Sequence, residues 1–376
     1  MKHIQIGMFF LIVFTIYSLA NYYLYIRGVQ VFSTTGSVKK WFTCAYIFVS
    51  SLFIIGMLLE RNFSSAFSEW VLRIGTSWLA FLLYFIIAAV CIDIIRMLNH
   101  FIHFLPDFSQ SHKTFLGICI IIAVCITVLL GHINAKNIRV KEIPLTIHKQ
   151  VEGSQTFRIL MASDIHLGPI IGRKWEEKFL NIVDEQNPDV VLLCGDIVDG
   201  DIKPVLRKRL GNHLQKINTP YGVFGISGNH EHIGGIDKTL DYFQNINIPI
   251  LYDTHVTLTN GIQIVGRKDI HGGTRKTLDS LLHNLNHNKP IIVMDHQPYN
   301  LDKPTQAGVD LHLSGHTHNG QLWPFNYITD AIFELSWGYL QKENSHFYVS
   351  SGFGTWGPTV RIGNHPEVVV FSVTFE

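Results

Sequence analysis

The apolar positions along the chain fall into two regimes. Up to about residue 131 they form four long runs, roughly 6–25, 41–59, 71–95 and 115–131. A bilayer core takes about 20 apolar residues of helix, with a range of about 17–25. Each run therefore predicts a membrane-crossing helix, the fourth at the short end. Trp41, Trp70 and Trp78 lie at or near run ends, where amphipathic rings anchor at the interface. The first run has only Lys2 as a charged start and no Ala-x-Ala site after it, so it reads as a retained span rather than a cleaved leader.

From Phe157 onward the apolar runs shorten, become β-branched and alternate with helical patterns. Phe157–Ala162, Val190–Cys194, Val223–Ser227, Ile291–Met294 and Leu311–Ser314 read as strands. Lys174–Gln186 reads as a helix with Phe179, Ile182 and Val183 on one stripe. This alternation predicts a layered α/β domain. Residues between about 133 and 155 are polar and lose the long apolar character. The expected organisation is a multi-pass transmembrane region over 1–135, a linker over 136–156 and a second domain over 157–376.

Composition sharpens this division. Hydrophobic residues make up 47% of the 376 and charged residues 16%, the apolar excess sitting in the first third. A net charge of +1 gives no basic footprint for nucleic acid. Lys2, Arg61, Arg73, Lys136, Arg139 and Lys141 would flank one side of a four-span region. Arg27, Lys39, Lys40, Arg96 and Lys113 would flank the other, and so even a split leaves the orientation open. Asp93 is ionisable within a span, and Arg96 follows one turn later as its expected partner. The five cysteines have no paired zinc-finger spacing and read as small apolar residues.

The predicted strands deliver polar side chains just past their ends. The motifs are Ser163-Asp164-Ile165-His166, Gly195-Asp196-Ile197-Val198-Asp199-Gly200, Gly228-Asn229-His230-Glu231, Asp295-His296 and Gly315-His316-Thr317-His318. In α/β sheets ligands bind beyond the carboxyl ends of strands, so these side chains could meet in one site. Their mixture of carboxylate, amide oxygen and imidazole suits Mn, Fe or Zn better than Ca or Cu(I). It is enough for two divalent ions side by side, a device for attacking phosphate esters. His316-x-His318 can serve neighbouring metals only if the chain bends past the site, as Gly315 and Gly320 permit.

This ordered set resembles the calcineurin-like metallophosphoesterases. The stretch His316–Gln321 with Pro324, and the tail from Tyr348 through Arg361 to Glu367, resemble the bacterial membrane-associated YkuE-like branch. The resemblance covers about residue 157 to the end and implies a sandwich of two mixed sheets flanked by helices. It implies that Asp164, His166, Asp196 and His318 hold one metal. Asp196, Asn229, His296 and His316 would hold the other, with Asp196 bridging. It further implies hydrolysis of a phosphodiester, phosphomonoester or pyrophosphate bond by a two-metal hydroxide mechanism. His230 would protonate the leaving group and Asp199 would orient His230. Position 319 is Asn where the branch commonly has Gly, and Asn tolerates the left-handed backbone that a turn there needs.

Several other residues carry two readings. Arg361 pairs either with substrate phosphate or, as the favoured expectation, in a structural ion pair. Trp323, Trp337, Tyr339 and Trp356 form either an aromatic wall or ordinary packing, and packing is the favoured expectation. His271-Gly272-Gly273 reads as a loop, and Asp310 and His312 have no claim to chemistry. The expected partners are a phosphate-ester substrate, with a lipid-linked one as a candidate, and membrane lipids. The expected location is the cell membrane. A catalytically silent scaffold or sensor on the same fold is the alternative, disfavoured because every implied ligand is present.

Overall fold

A computed structural model describes residues 2–32 and 36–376, with side chains at Met8 and from residue 11 onward. The chain divides into two compact units, 1–131 and 132–376.

The first unit is helical: α1 (Lys2–Phe32), α2 (Gly36–Phe63), α3 (Ala66–Ile102) and α4 (Gln110–Ala135), the last running on into the second unit. Among the described residues, α2, α3 and α4 are long and apolar enough to cross a bilayer. That makes three candidate spans among the described residues, against the four expected. The expected span over 6–25 coincides with α1, and its first side chains lie outside the described residues. Ser65 caps α3 by accepting from the Ser68 N–H, and Ser68 returns a side-chain bond to the Ser65 N–H. Asp93 does lie 3.6 Å from Arg96, but its closer partners come from α1: Arg27 at 2.5 Å and the Tyr23 hydroxyl at 2.7 Å.

The second unit is a mixed α/β fold with two sheets. The first sheet has the order β1-β11-β2-β3-β4, and the second β5-β6-β7-β8-β10-β9. The strands of the first are β1 (Arg139–Ile147), β2 (Thr156–Ala162), β3 (Val190–Cys194), β4 (Val223–Ile226) and β11 (Glu367–Phe375). Those of the second are β5 (Thr254–Thr257), β6 (Gln263–Gly266), β7 (Ile291–Met294), β8 (Leu311–Ser314), β9 (Gly338–Lys342) and β10 (Ser345–Val349). Alternate side chains leave opposite faces of a strand. Ile159 and Met161 of β2 thus join Leu192, Ile292, Leu313 and Phe371 in one core. Leu160 and Ala162 turn to a second core with Val191 and Leu193, closed by Phe179 and Val183 of helix α5 (Arg173–Gln186). Burial on both faces explains why these strands read as unbroken apolar runs.

The segment 136–156, expected as a linker, is a correction. It contains β1, which pairs in parallel with β11 along its whole length and buries Ile143, Leu145 and Ile147. Pro144 is tolerated because β1 is an edge strand, where a missing donor breaks no central ladder.

Candidate metal centre

Asp164, Asp196, Asn229, His296 and His316 each stand two or three residues beyond the ends of β2, β3, β4, β7 and β8. The strands are parallel through β2-β3-β4 and through β6-β7-β8, so their carboxyl ends open together. The turns that follow are tight. Asp164, His166, Asp196, His316 and His318 all have positive φ, between 49° and 72°. Such backbone costs a non-glycine residue about 1–3 kcal/mol and concentrates at functional sites. Asn319 also adopts it, with φ 46°. Two neighbours must be glycine for space: a Cβ on Gly228 would stand 2.2 Å from Asp196 Oδ1, and one on Gly315 2.3 Å from Asp164 Oδ2.

These turns bring the side chains together in two clusters, each with ligand atoms within 4.8 Å of one another. One is Asp164, His166 and His318: His318 Nε2 lies 3.3 Å from Asp164 Oδ1 and 3.1 Å from His166 Nε2. The other is Asp196, His296 and His316, with His296 Nε2 3.2 Å from Asp196 Oδ2. Asn229 Oδ1 joins this second cluster, 2.8 Å from His316 Nδ1. Asp196 Oδ2 is also 4.0 Å from His166 Nε2, so it faces both clusters. A third group, His166, Asp199 and His230, borders the first.

The donors fit cations. His296 Nδ1–H donates to the Cys194 carbonyl at 2.8 Å, which turns Nε2 inward as a lone-pair donor, and that buried atom has no hydrogen-bond partner. Burial holds His316 and His318 down to about 4, so both imidazoles are neutral at pH 7, as ligands must be. Burial would raise Asp164 and Asp196. The neighbouring histidines outweigh it, His318 and His296 for the first and His296 and His230 for the second, and both carboxyls fall below their usual range. Burial would likewise lower His296, but the Asp196 and Asp164 carboxylates raise it well above an ordinary histidine. A cation placed among these atoms would meet the same two carboxylates and take the His296 Nε2 lone pair.

Glu231 had no role assigned from sequence. Its buried carboxylate accepts the N–H groups of Asp196, Val198 and Gly228 at 3.2, 2.9 and 2.7 Å. It thereby ties the turn after β3 to the turn after β4. The Gly-x-x-Glu spacing at a helix start was the available signal.

Arg361 departs from both of its readings. It is fully buried, and its guanidinium donates to the carbonyls of Ser351, Gly352 and Gly354 and to Asn364 Oδ1. It braces the loop beneath Asp164 and pairs with no carboxylate among its hydrogen bonds. Asp295 is held by Arg267 at 2.6 Å and Arg275 at 2.9 Å and stays out of the clusters. Asp310 binds Lys149 at 2.7 Å. Trp337 donates to Glu367 and Tyr339 bonds His346, while Trp356 alone of the four aromatics lines a cavity beside the clusters.

Comparison with known proteins agrees with this geometry. Residues 157–320 match the family model described as calcineurin-like phosphoesterase. A metallophosphoesterase of Aquifex aeolicus is 33% identical over 66% of this chain and 97% of its own. One from Campylobacter jejuni is 29% identical over 97% of this chain and 98% of its own. The metallophosphoesterase YkuE of Bacillus subtilis is 29% identical over 59% of this chain and 80% of its own. The chain belongs to the calcineurin-like phosphoesterase family. Membership implies a phosphoester hydrolase, and the two His/Asp clusters are suited to two divalent metals.

Proposed function

We propose that this chain is a membrane-anchored, metal-dependent phosphoesterase. Asp164, His166, Asp196 and His318 hold one divalent cation, and Asp196, Asn229, His296 and His316 hold the other, with Mn, Fe or Zn as the candidates. The observation that carries the reading is the position of Asp196, whose carboxylate faces both clusters. When bound, such a pair of ions supplies an activated water and neutralises charge on the phosphoryl oxygens.

The protein's own groups complete the site. His230 lines the cavity and keeps a proton on a ring braced by Asp199, whose Oδ1 is 3.0 Å from His230 Nδ1. That proton goes to the departing alcohol oxygen, which spares the reaction a free alkoxide. The Asn229 amide and the neutral His316 hold their side of the site without adding net negative charge, which a phosphate would oppose. The three long apolar helices anchor the domain to a bilayer.

The test uses the full chain in detergent or nanodiscs, stripped of metal and reloaded with Mn, Fe or Zn. Metal-dependent release of nitrophenolate from bis(4-nitrophenyl) phosphate or 4-nitrophenyl phosphate is expected, and Asp196→Asn should abolish it. No turnover with any of the three metals would remove the enzymatic reading.

A further inference from the structure

A cavity of about 510 Å³ opens over the two clusters, and its walls differ in chemistry. The floor is Asp196, Asn229, His230, His316 and His318. Phe325, Ile328, Phe333 and Trp356 line the cavity too, together with Thr317, Gly320 and Thr329. Phe325, Ile328 and Trp356 are 38%, 54% and 48% exposed. Beyond the cavity the same short helix, Asn326–Ile332, exposes Tyr327 and Ile332 as well.

Exposed apolar surface of this extent beside a polar floor marks a binding face. The aliphatic Ile328 on this wall and Ile332 beyond it suit a hydrocarbon chain. The wall is also fixed in place. Phe333 meets the His316 ring edge-on at 6.2 Å and packs on Tyr299 at 4.9 Å. Gln321 holds Trp356 through its backbone, accepting from the Trp356 N–H at 3.2 Å and donating to the Trp356 carbonyl at 2.9 Å.

The loop that carries Trp356 has a second attachment. His132 donates to the Thr359 carbonyl at 2.7 Å, and Asn134 donates to the carbonyls of Arg361 and Asn364 at 2.9 and 2.7 Å. Both residues belong to the last turns of α4. These bonds lie within the second unit, which begins at His132.

We infer that the cavity takes a phosphoester bearing a long hydrocarbon chain, a membrane amphiphile whose phosphate sits over the clusters while its tail lies along Phe325, Ile328 and Trp356. This rests on the phosphoesterase reading and names its substrate class. The cleaved bond is a P–O bond: the oxygen of water joins phosphorus, the leaving oxygen departs as an alcohol with the proton from His230, and the proton released by water returns to His230 through solvent, so one water is consumed.

The full chain in nanodiscs, loaded with the activating metal, is assayed on methyl, octyl and dodecyl 4-nitrophenyl phosphate. A buried methylene favours binding by up to about fourfold, so kcat/KM should rise at least about tenfold from methyl to dodecyl, mainly through KM. Ile328→Asn and Trp356→Ala should each cut that gradient to about threefold or less. The gradient surviving in both variants would mean simple partition into the bilayer and overturn the inference. Equal rates on all three esters would overturn it while leaving the phosphoesterase standing. If no ester is cleaved the phosphoesterase reading fails separately, and binding decides this one. Dodecylphosphonate binding more tightly than methylphosphonate to the native chain, and not to Ile328→Asn, supports it; equal affinities overturn it.

Discussion

Nδ1 of His230 lies 3.0 Å from Oδ1 of Asp199, and the same oxygen is 3.4 Å from Nδ1 of His166. One carboxylate thus faces two imidazoles, one within a metal-suited cluster and one on the cavity wall, and the His166 Nδ1 makes no hydrogen bond. The proposed proton donor and the proposed metal ligand share one carboxylate neighbour.

This arrangement predicts how leaving-group chemistry separates the variants. His230→Ala should lower turnover about 10²–10⁴-fold on an ester with an alkoxide leaving group. It should cost far less with nitrophenolate, which departs without a proton. Steady-state kinetics on the two ester types checks this, and equal losses would contradict the acid role. Asp199→Asn should give a smaller loss with the same dependence on leaving group.

The charge on His230 can be read directly. Burial would lower its pKa, but the Asp196, Asp199 and Glu231 carboxylates raise it to about 9 in the metal-free chain. The folded value exceeds the unfolded one of about 6.5. The ring's contribution to stability is therefore complete below about 6.5 and is lost as pH rises through about 9. NMR titration of the metal-free protein should show this, and Asp199→Asn should move the titration to lower pH. Loading divalent cations should also lower it, because positive charge nearby disfavours the imidazolium.

Glu176 of α5 gives a pH effect away from the site. Its buried carboxyl accepts the Gly211 N–H through one oxygen, and the other has no hydrogen-bond partner. Burial raises it to about 7. Its folded pKa thus exceeds its unfolded one, so its stabilising contribution is full below about 4.5 and lost as pH rises through about 7. Glu176→Gln keeps an acceptor for Gly211 and should raise the thermal midpoint at pH 8 more than at pH 5. An equal change at both pH values would contradict a proton held there.

Arg361 predicts a structural loss. Arg361→Met takes the guanidinium donor from a buried loop: the Gly352 carbonyl keeps the Glu367 N–H, while those of Ser351 and Gly354 lose their donor. Each buried unpaired group costs about 1–3 kcal/mol. Denaturation should show a loss of several kcal/mol, and Arg361→Lys should recover little of it because an ammonium lacks the planar fork.

The sequence made the polar residues of the site legible because each follows directly on a buried strand, where local pattern and chemistry coincide. What it hid depends on contacts distant along the chain. Arg139–Ile147 looked like a linker because its partner, β11, lies more than two hundred residues away and Pro144 interrupts its pattern. Asp93 looked paired only with Arg96 because Arg27 approaches from another helix. Arg361 looked like a partner for an anion because a guanidinium bonded to carbonyls has no local signature. Phe325, Ile328 and Phe333 are ordinary apolar residues until the fold brings them into one cavity with His316.

The most direct test is a crystal structure of the Mn-loaded protein with anomalous scattering. Two peaks are predicted, one bound by Asp164, His166 and His318 and one by Asn229, His296 and His316, with the Asp196 carboxylate reaching both. A single peak, or none contacting Asp196, would contradict the two-metal account.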